Sequence, residues 1–288
     1  MVLTLEGDGL RVSVLDPVAD AARLGPRYVA GGYVWQITDE RDGALLAGPQ
    51  YPAEPSPFDG QGLPEVFETA LGADTARVGD DVYVMGVGRV RRESPVRPFH
   101  VRDNPTVTER AGWDVETTRQ RLRAQTSGIF GEFGCTLTRE VSVSGRTVSS
   151  ETRLRNDGTK QLPLRWFAHP FLPWASGDVA QLSLESALPA GAALVENDRG
   201  WFERRAGVAW SAGHYLVPRV TLGAALKWEQ RHPLVGSVRV SCGFPLGGLA
   251  LWGNAQTFSV EPFFQTLIKP GGEWRWGIGY AFGSAGNL

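Results

Sequence analysis

Cysteine is scarce: the chain has only Cys135 and Cys242. Two thiols make no disulfide framework. Each sits in a run of alternating apolar residues, where a buried free thiol is expected. Lysine is as rare, at positions 160, 227 and 269 alone, so the basic charge is almost all arginine, which reads as genome composition. A formal net charge of −2 without a basic stripe argues against nucleic acid as a partner. No stretch approaches 18 consecutive apolar residues, so no spanning helix and no membrane partner are expected. The start, MVLTLEGDGL, lacks the basic and apolar regions of a signal peptide, and a cytoplasmic location is expected. Also missing are a G-x-S-x-G elbow, a P-loop, a helix-opening G-x-G-x-x-G, H-E-x-x-H and C-x-x-C. The four histidines, His100, His169, His214 and His232, include no pair at metal-ligand spacing. No cofactor and no metal are therefore expected. Any catalysis falls to histidine and carboxylate acting as acid and base.

What is present is glycine, 36 residues, and proline, 19, in 288. Glycine at well above the usual ~7% cuts a chain into short elements and speaks against a helical bundle. Hydrophobic residues at 42%, with ten Trp, are ample for a large core. Period-2 alternation dominates, as in half-buried strands. It marks residues 10–15, 33–38, 81–90, 133–143, 147–155, 219–229 and 274–282. Ser144-Gly145-Arg146 reads as the turn of a hairpin. Helical spacing is almost absent; residues 17–24 could form two turns behind Pro17. The Pro/Gly-rich stretches 47–64 and 94–105 read as loops, because strand patterns resume on both sides. No break divides the chain. The expected fold is all-β, a large antiparallel β-sandwich in a single domain over residues 1–288.

Two segments carry candidate chemistry. In Trp166-Phe167-Ala168-His169-Pro170-Phe171, Phe167 and His169 share a strand face. Pro170 biases His169 to extended backbone and cannot donate to a ladder. That suits a strand end from which a side chain projects into a cleft; a partly buried histidine bonded to backbone is the plainer alternative. In Phe258-Ser259-Val260-Glu261-Pro262-Phe263 a carboxylate is embedded in an apolar strand. Glutamate is rarely buried unless paired or functional, and an edge strand facing solvent is the alternative.

R-N-D-G followed by L-P-L-R-W-F-A-H-P-F, with the later S-V-E-P-F, resembles two motifs of the aldose 1-epimerase (galactose mutarotase) superfamily. Residues 62–92, Gly112-Trp113 and the run 133–174 are similar in order to its bacterial aldose-epimerase-like branch, over roughly residues 10–283. The resemblance implies a supersandwich fold and interconversion of the α and β anomers of an aldose or sugar phosphate by ring opening. It implies His169 as the acid on the ring oxygen and Glu261 as the base on the C1 hydroxyl. A neighbouring carboxylate is expected to keep the His169 imidazolium populated. Weaker parallels make Arg89 and His100 substrate-binding residues, although His100 lacks the family's following glycines. Arg139 comes from pattern alone: it interrupts an apolar face, so it is either paired with a carboxylate or lines the cleft. Trp174 and Trp252 could stack on a sugar ring. Arg91 and Arg92 join Arg89 as candidates for a sugar phosphate. His214 and His232 read as exposed loop residues. The expected partner is a monosaccharide or sugar phosphate, bound by a monomer or homodimer. A non-catalytic sugar-binding protein, or a lyase or other epimerase on the same scaffold, stays open.

Overall fold

The computed structural model describes residues 2–283. Alternation becomes long antiparallel strands, of which Phe133–Ser144, Thr147–Asn156 and Glu273–Phe282 are typical. Along Phe133–Ser144 buried and half-buried residues alternate, which puts Leu137, Val141 and Val143 on the core side. Gly145, at φ 56°, closes the hairpin to Thr147, in a conformation that suits glycine.

Ten strands form the larger sheet. Its centre runs Arg121–Phe130, Phe133–Ser144, Thr147–Asn156, Glu273–Phe282, Gly236–Pro245, Ala225–His232. A six-stranded sheet packs on it, in the order His214–Leu216, Gly248–Gly253, Thr257–Ile268, Leu162–Ala168, Glu65–Phe67, with Leu172–Pro173 paired to Thr257–Ile268. Between the two sheets Trp276 meets Trp166 edge-on at 5.7 Å, and Phe244 meets Trp166 at 5.4 Å. This core cluster runs from Leu5 to Phe282 along the chain. The fold is therefore an all-β, antiparallel sandwich, with two four-stranded sheets and one two-stranded ribbon beside it.

The second apolar cluster positions the site. On the far side of the six-stranded sheet, Phe167, Ala250 and Phe263 pack against Leu15, Leu24, Tyr28, Tyr33 and Trp35 from the N-terminal part. The strand Thr257–Ile268 thus lies between two apolar layers, and its first eight residues are all buried.

Three local expectations need correction. Residues 17–24 hold only a 3-10 turn at Ala21–Arg23; the Asp16 carboxylate accepts the Val18 and Ala19 N–H groups at 2.8 and 2.9 Å, which fixes a turn there instead. Residues 81–90 are two strands, Asp81–Val84 and Gly88–Arg91, reversed at Met85–Val87, where Gly86 takes φ 76°. Residues 219–229 are broken at Thr221–Ala224 between Arg219–Val220 and Ala225–His232. Among the described residues no helix is long and apolar enough to cross a membrane. Both cysteines are free and buried.

Candidate active site

His169 lies just past the strand Leu162–Ala168. Its backbone N–H donates to the Pro64 carbonyl at 2.9 Å, and Phe171 N–H donates to Gly62 at 2.8 Å. Pro170, between them, needs no partner. The alternation of the strand carries Trp166 into the core between the sheets and Phe167, then His169, to the opposite face. Glu261 reaches the same face from the neighbouring strand, since Phe263 sits opposite Phe167 in register. One strand further on, Ala250 is opposite Glu261 and Trp252 opposite Ser259.

The two candidate groups, 92 positions apart, therefore meet. His169 Nε2 is 3.3 Å from Glu261 Oε1, and both side chains are at most 4% exposed. Oε1 is a buried acceptor with no hydrogen-bond partner among the described residues, an arrangement that costs about 1–3 kcal/mol when left unmet. On the other side of the ring, His169 Nδ1 and the buried Ser259 hydroxyl are 3.0 Å apart. The imidazole is held by aromatic rings: Phe171 at 4.3 Å, Trp252 at 5.8 Å and Phe167 at 6.0 Å.

Burial sets the charge state. The Glu261 carboxyl is pushed up to about 8, chiefly by desolvation, with Arg27 pulling the other way. Desolvation, then the positive Arg27, pushes His169 well below the usual imidazole range. The expectation of a populated imidazolium is thus not met: a carboxylate is adjacent, but removing both groups from water disfavours either charge. At neutral pH the pair holds one proton, as carboxylic acid and imidazole.

Both groups line a cavity of about 590 Å³, wide enough for a monosaccharide. Its lining includes buried Phe167, Phe171 and Phe263 with half-buried Trp252, and, at its exposed rim, His100, Arg102 and Tyr215 with half-buried Phe58. Of the substrate-binding candidates, His100 and Trp252 line it and Arg89, Arg139 and Trp174 do not. Arg89 pairs with Glu109 at 2.9 Å, as its neighbouring strand dictates. Arg139 is 2% exposed and pairs with the equally buried Glu65, while donating to Ser150 at 2.9 Å. Of the two alternatives for that residue, the carboxylate partner is the one realised. Trp174 donates to the Asn254 carbonyl at 2.5 Å and lies under Arg204, whose guanidinium is 3.7 Å from the ring centre. Arg91 pairs with Asp81 at 2.7 Å, and buried Arg92 donates to the Ala73 and Val96 carbonyls. His232 is not exposed either: it is 3% accessible, with Nε2 2.8 Å from the Leu45 carbonyl. His214 is half-buried, with Nε2 2.7 Å from the Ala209 carbonyl.

Arg27, Arg102 and Ser259 went unmarked as site residues at the sequence level. The only signal for Ser259 was its spacing, two residues before Glu261 on the same strand face. Among the described residues no group of His, Cys, Asp and Glu could hold a metal ion.

The fold that places His169 and Glu261 on the outer face of the smaller sheet is similar to that of solved structures. A galactose mutarotase related enzyme from Lactobacillus acidophilus superposes with a TM-score of 0.64 at 12% identity, over 99% of this chain and 98% of that one. The fold is galactose mutarotase-like. An Escherichia coli K12 protein provisionally named an aldose 1-epimerase gives 0.58 at 13% identity, over 98% of each chain. A galactose mutarotase-like protein from Lactobacillus casei gives 0.55 at 14%, over 98% of this chain and 99% of that one. No protein-family model matches the chain. No curated protein matches it either.

Proposed function

We propose that the cavity binds a monosaccharide and that His169 and Glu261 interconvert its anomers. The observation that carries this reading is the 3.3 Å contact between an imidazole nitrogen and a carboxyl oxygen at the floor of a sugar-sized cavity. The ring oxygen and the C1 hydroxyl of a pyranose are bonded to the same carbon, so one donor and one acceptor in direct contact can serve both. The partner holding the proton gives it to the ring oxygen as the C1–O bond breaks. The other takes the proton of the C1 hydroxyl, which becomes the aldehyde oxygen. Rotation about C1–C2 and the reverse transfers close the ring as the other anomer. The pair ends with the proton count it began with, so no further reactant is needed. General acid–base help of this kind contributes typically ~10²–10⁴-fold. The resemblance assigns the acid role to His169 and the base role to Glu261; the single shared proton lets each take its role once a sugar is in place. Trp252 and Phe171 supply apolar surface for the faces of a sugar ring.

Exchange spectroscopy by NMR between the α and β anomers of glucose and of galactose tests this directly. Protein should accelerate exchange, and Glu261→Gln and His169→Gln should each lower the rate at least ~10²-fold. Saturable sugar binding with no faster exchange would leave a binding protein and overturn the isomerase reading.

A further inference from the structure

Arginine in this protein is mostly spent on carboxylates or backbone carbonyls; Arg153, Arg165 and Arg199, for example, have carboxylate partners at 2.5, 2.5 and 2.8 Å. Two arginines at the cavity are different. Arg27, in the segment between the Ala21–Arg23 turn and the strand Val34–Asp39, has no carboxylate within ion-pair distance among the described residues. Its one hydrogen bond is a long one, 3.5 Å to the Phe58 carbonyl. Arg102, in the loop after Gly88–Arg91, has no ion pair and no side-chain hydrogen bond among the described residues. Both guanidiniums converge on one ring: Arg27 is 5.0 Å and Arg102 5.3 Å from the centre of Phe58. All three residues line the cavity.

Among the described residues no nearby carboxylate lies within ion-pair distance of either guanidinium. Asp59 accepts from Ser56 at 2.6 Å and from Gln50 at 2.9 Å. Glu68 is paired with Arg165 at 2.5 Å. Glu261 keeps its proton at neutral pH because burial holds its carboxyl up. The positive charge of Arg27 and Arg102 is felt by His100, which both arginines, after desolvation, push down, against the smaller upward pull of Asp103 and Glu68. His100 Nδ1 accepts the Arg102 backbone N–H at 3.1 Å. In the neutral ring this leaves Nε2 as the proton carrier and a further donor.

We infer that Arg27 and Arg102, with His100, form an anion subsite at the rim of the cavity, so that the preferred sugar carries a phosphate or carboxylate group away from its reacting carbon. This rests on reading the cavity as a sugar site and narrows it to charged sugars. The planar guanidinium fork matches both anions, and phosphate offers it one more oxygen than carboxylate.

The test compares glucose, glucose 6-phosphate and glucuronate as probes, by calorimetric binding and by NMR anomer exchange. The wild-type protein should favour at least one charged sugar over glucose by tenfold or more, and which one identifies the anion. In Arg27→Gln/Arg102→Gln that ratio should fall toward one, and raising salt should reduce it in the wild type alone. Equal handling of all three sugars, or a preference untouched by the double substitution, overturns the subsite whether or not anomers exchange. Arginine-dependent binding of a charged sugar without faster exchange upholds the subsite while the isomerase reading fails. Circular dichroism and melting of the double variant should match the wild type, since neither side chain is fully buried.

Discussion

With its carboxyl held up at about 8, Glu261 keeps its proton at pH 7, and His169, pushed far below the usual imidazole range, is a neutral imidazole. Turnover needs one proton on the pair, so kcat/KM should fall as pH rises through about 8, and fall again in acid once His169 takes a second proton. A profile flat from pH 5 to 9 would contradict the assignment. The same burial acts on stability. The folded carboxyl titrates above its ordinary 4.5, so the stability tied to its protonated form is complete below 4.5 and is lost as pH rises through about 8. Glu261→Gln cannot ionise. It should melt above the wild type at pH 9 by at least about 3 °C, roughly 1 kcal/mol in a chain of this size, with the gap closing toward pH 4.5. Ser259→Ala leaves His169 Nδ1 without its hydroxyl partner. It should lower kcat about tenfold with little change in KM, as expected when orientation and not binding is lost. At this scale the sequence was informative where backbone chemistry singles a residue out. Pro170 exposes His169 as the end of a strand, and an apolar run exposes Glu261. Arg27 and Arg102 lie in irregular loops, where no periodicity predicts what a side chain faces.

Between elements, a buried ion pair joins Arg139 in the strand Phe133–Ser144 to Glu65 in Glu65–Phe67. It bridges the two sheets, and Ser150 and Trp166 Nε1 also donate to the Glu65 carboxylate, at 2.6 and 3.0 Å. Removing one charge strands the other, so Arg139→Met should cost about 3–5 kcal/mol, read by urea unfolding. Arg139→Met with Glu65→Gln should recover much of that loss. Interruption of an apolar face made Arg139 visible in the sequence. Its partner lies 74 positions away, and only the stacking of the sheets reveals it. Hairpins with a two-residue turn, such as that at Gly145, were legible from alternation flanking a glycine. The reversal at Met85–Val87 was not, since apolar residues continue through it.

For the molecule as a whole, alternation and the lack of helical spacing point to an antiparallel sandwich, but not to the order of its strands. That order follows from which hydrophobic faces meet after the chain has collapsed, and local pattern has no access to it. The strand Glu273–Phe282 is the last one described, yet it lies in the interior of the ten-stranded sheet, between Thr147–Asn156 and Gly236–Pro245. It also brings Trp276 against Phe67, Trp166 and Phe264. Every other strand of this sheet is therefore synthesised before the piece that joins its two halves emerges. Until then two open edges face each other with nothing to zip them, which is a state prone to mispairing. A chain ended before residue 273 should be recovered as aggregate, and supplying the missing segment as a separate peptide during refolding should rescue solubility.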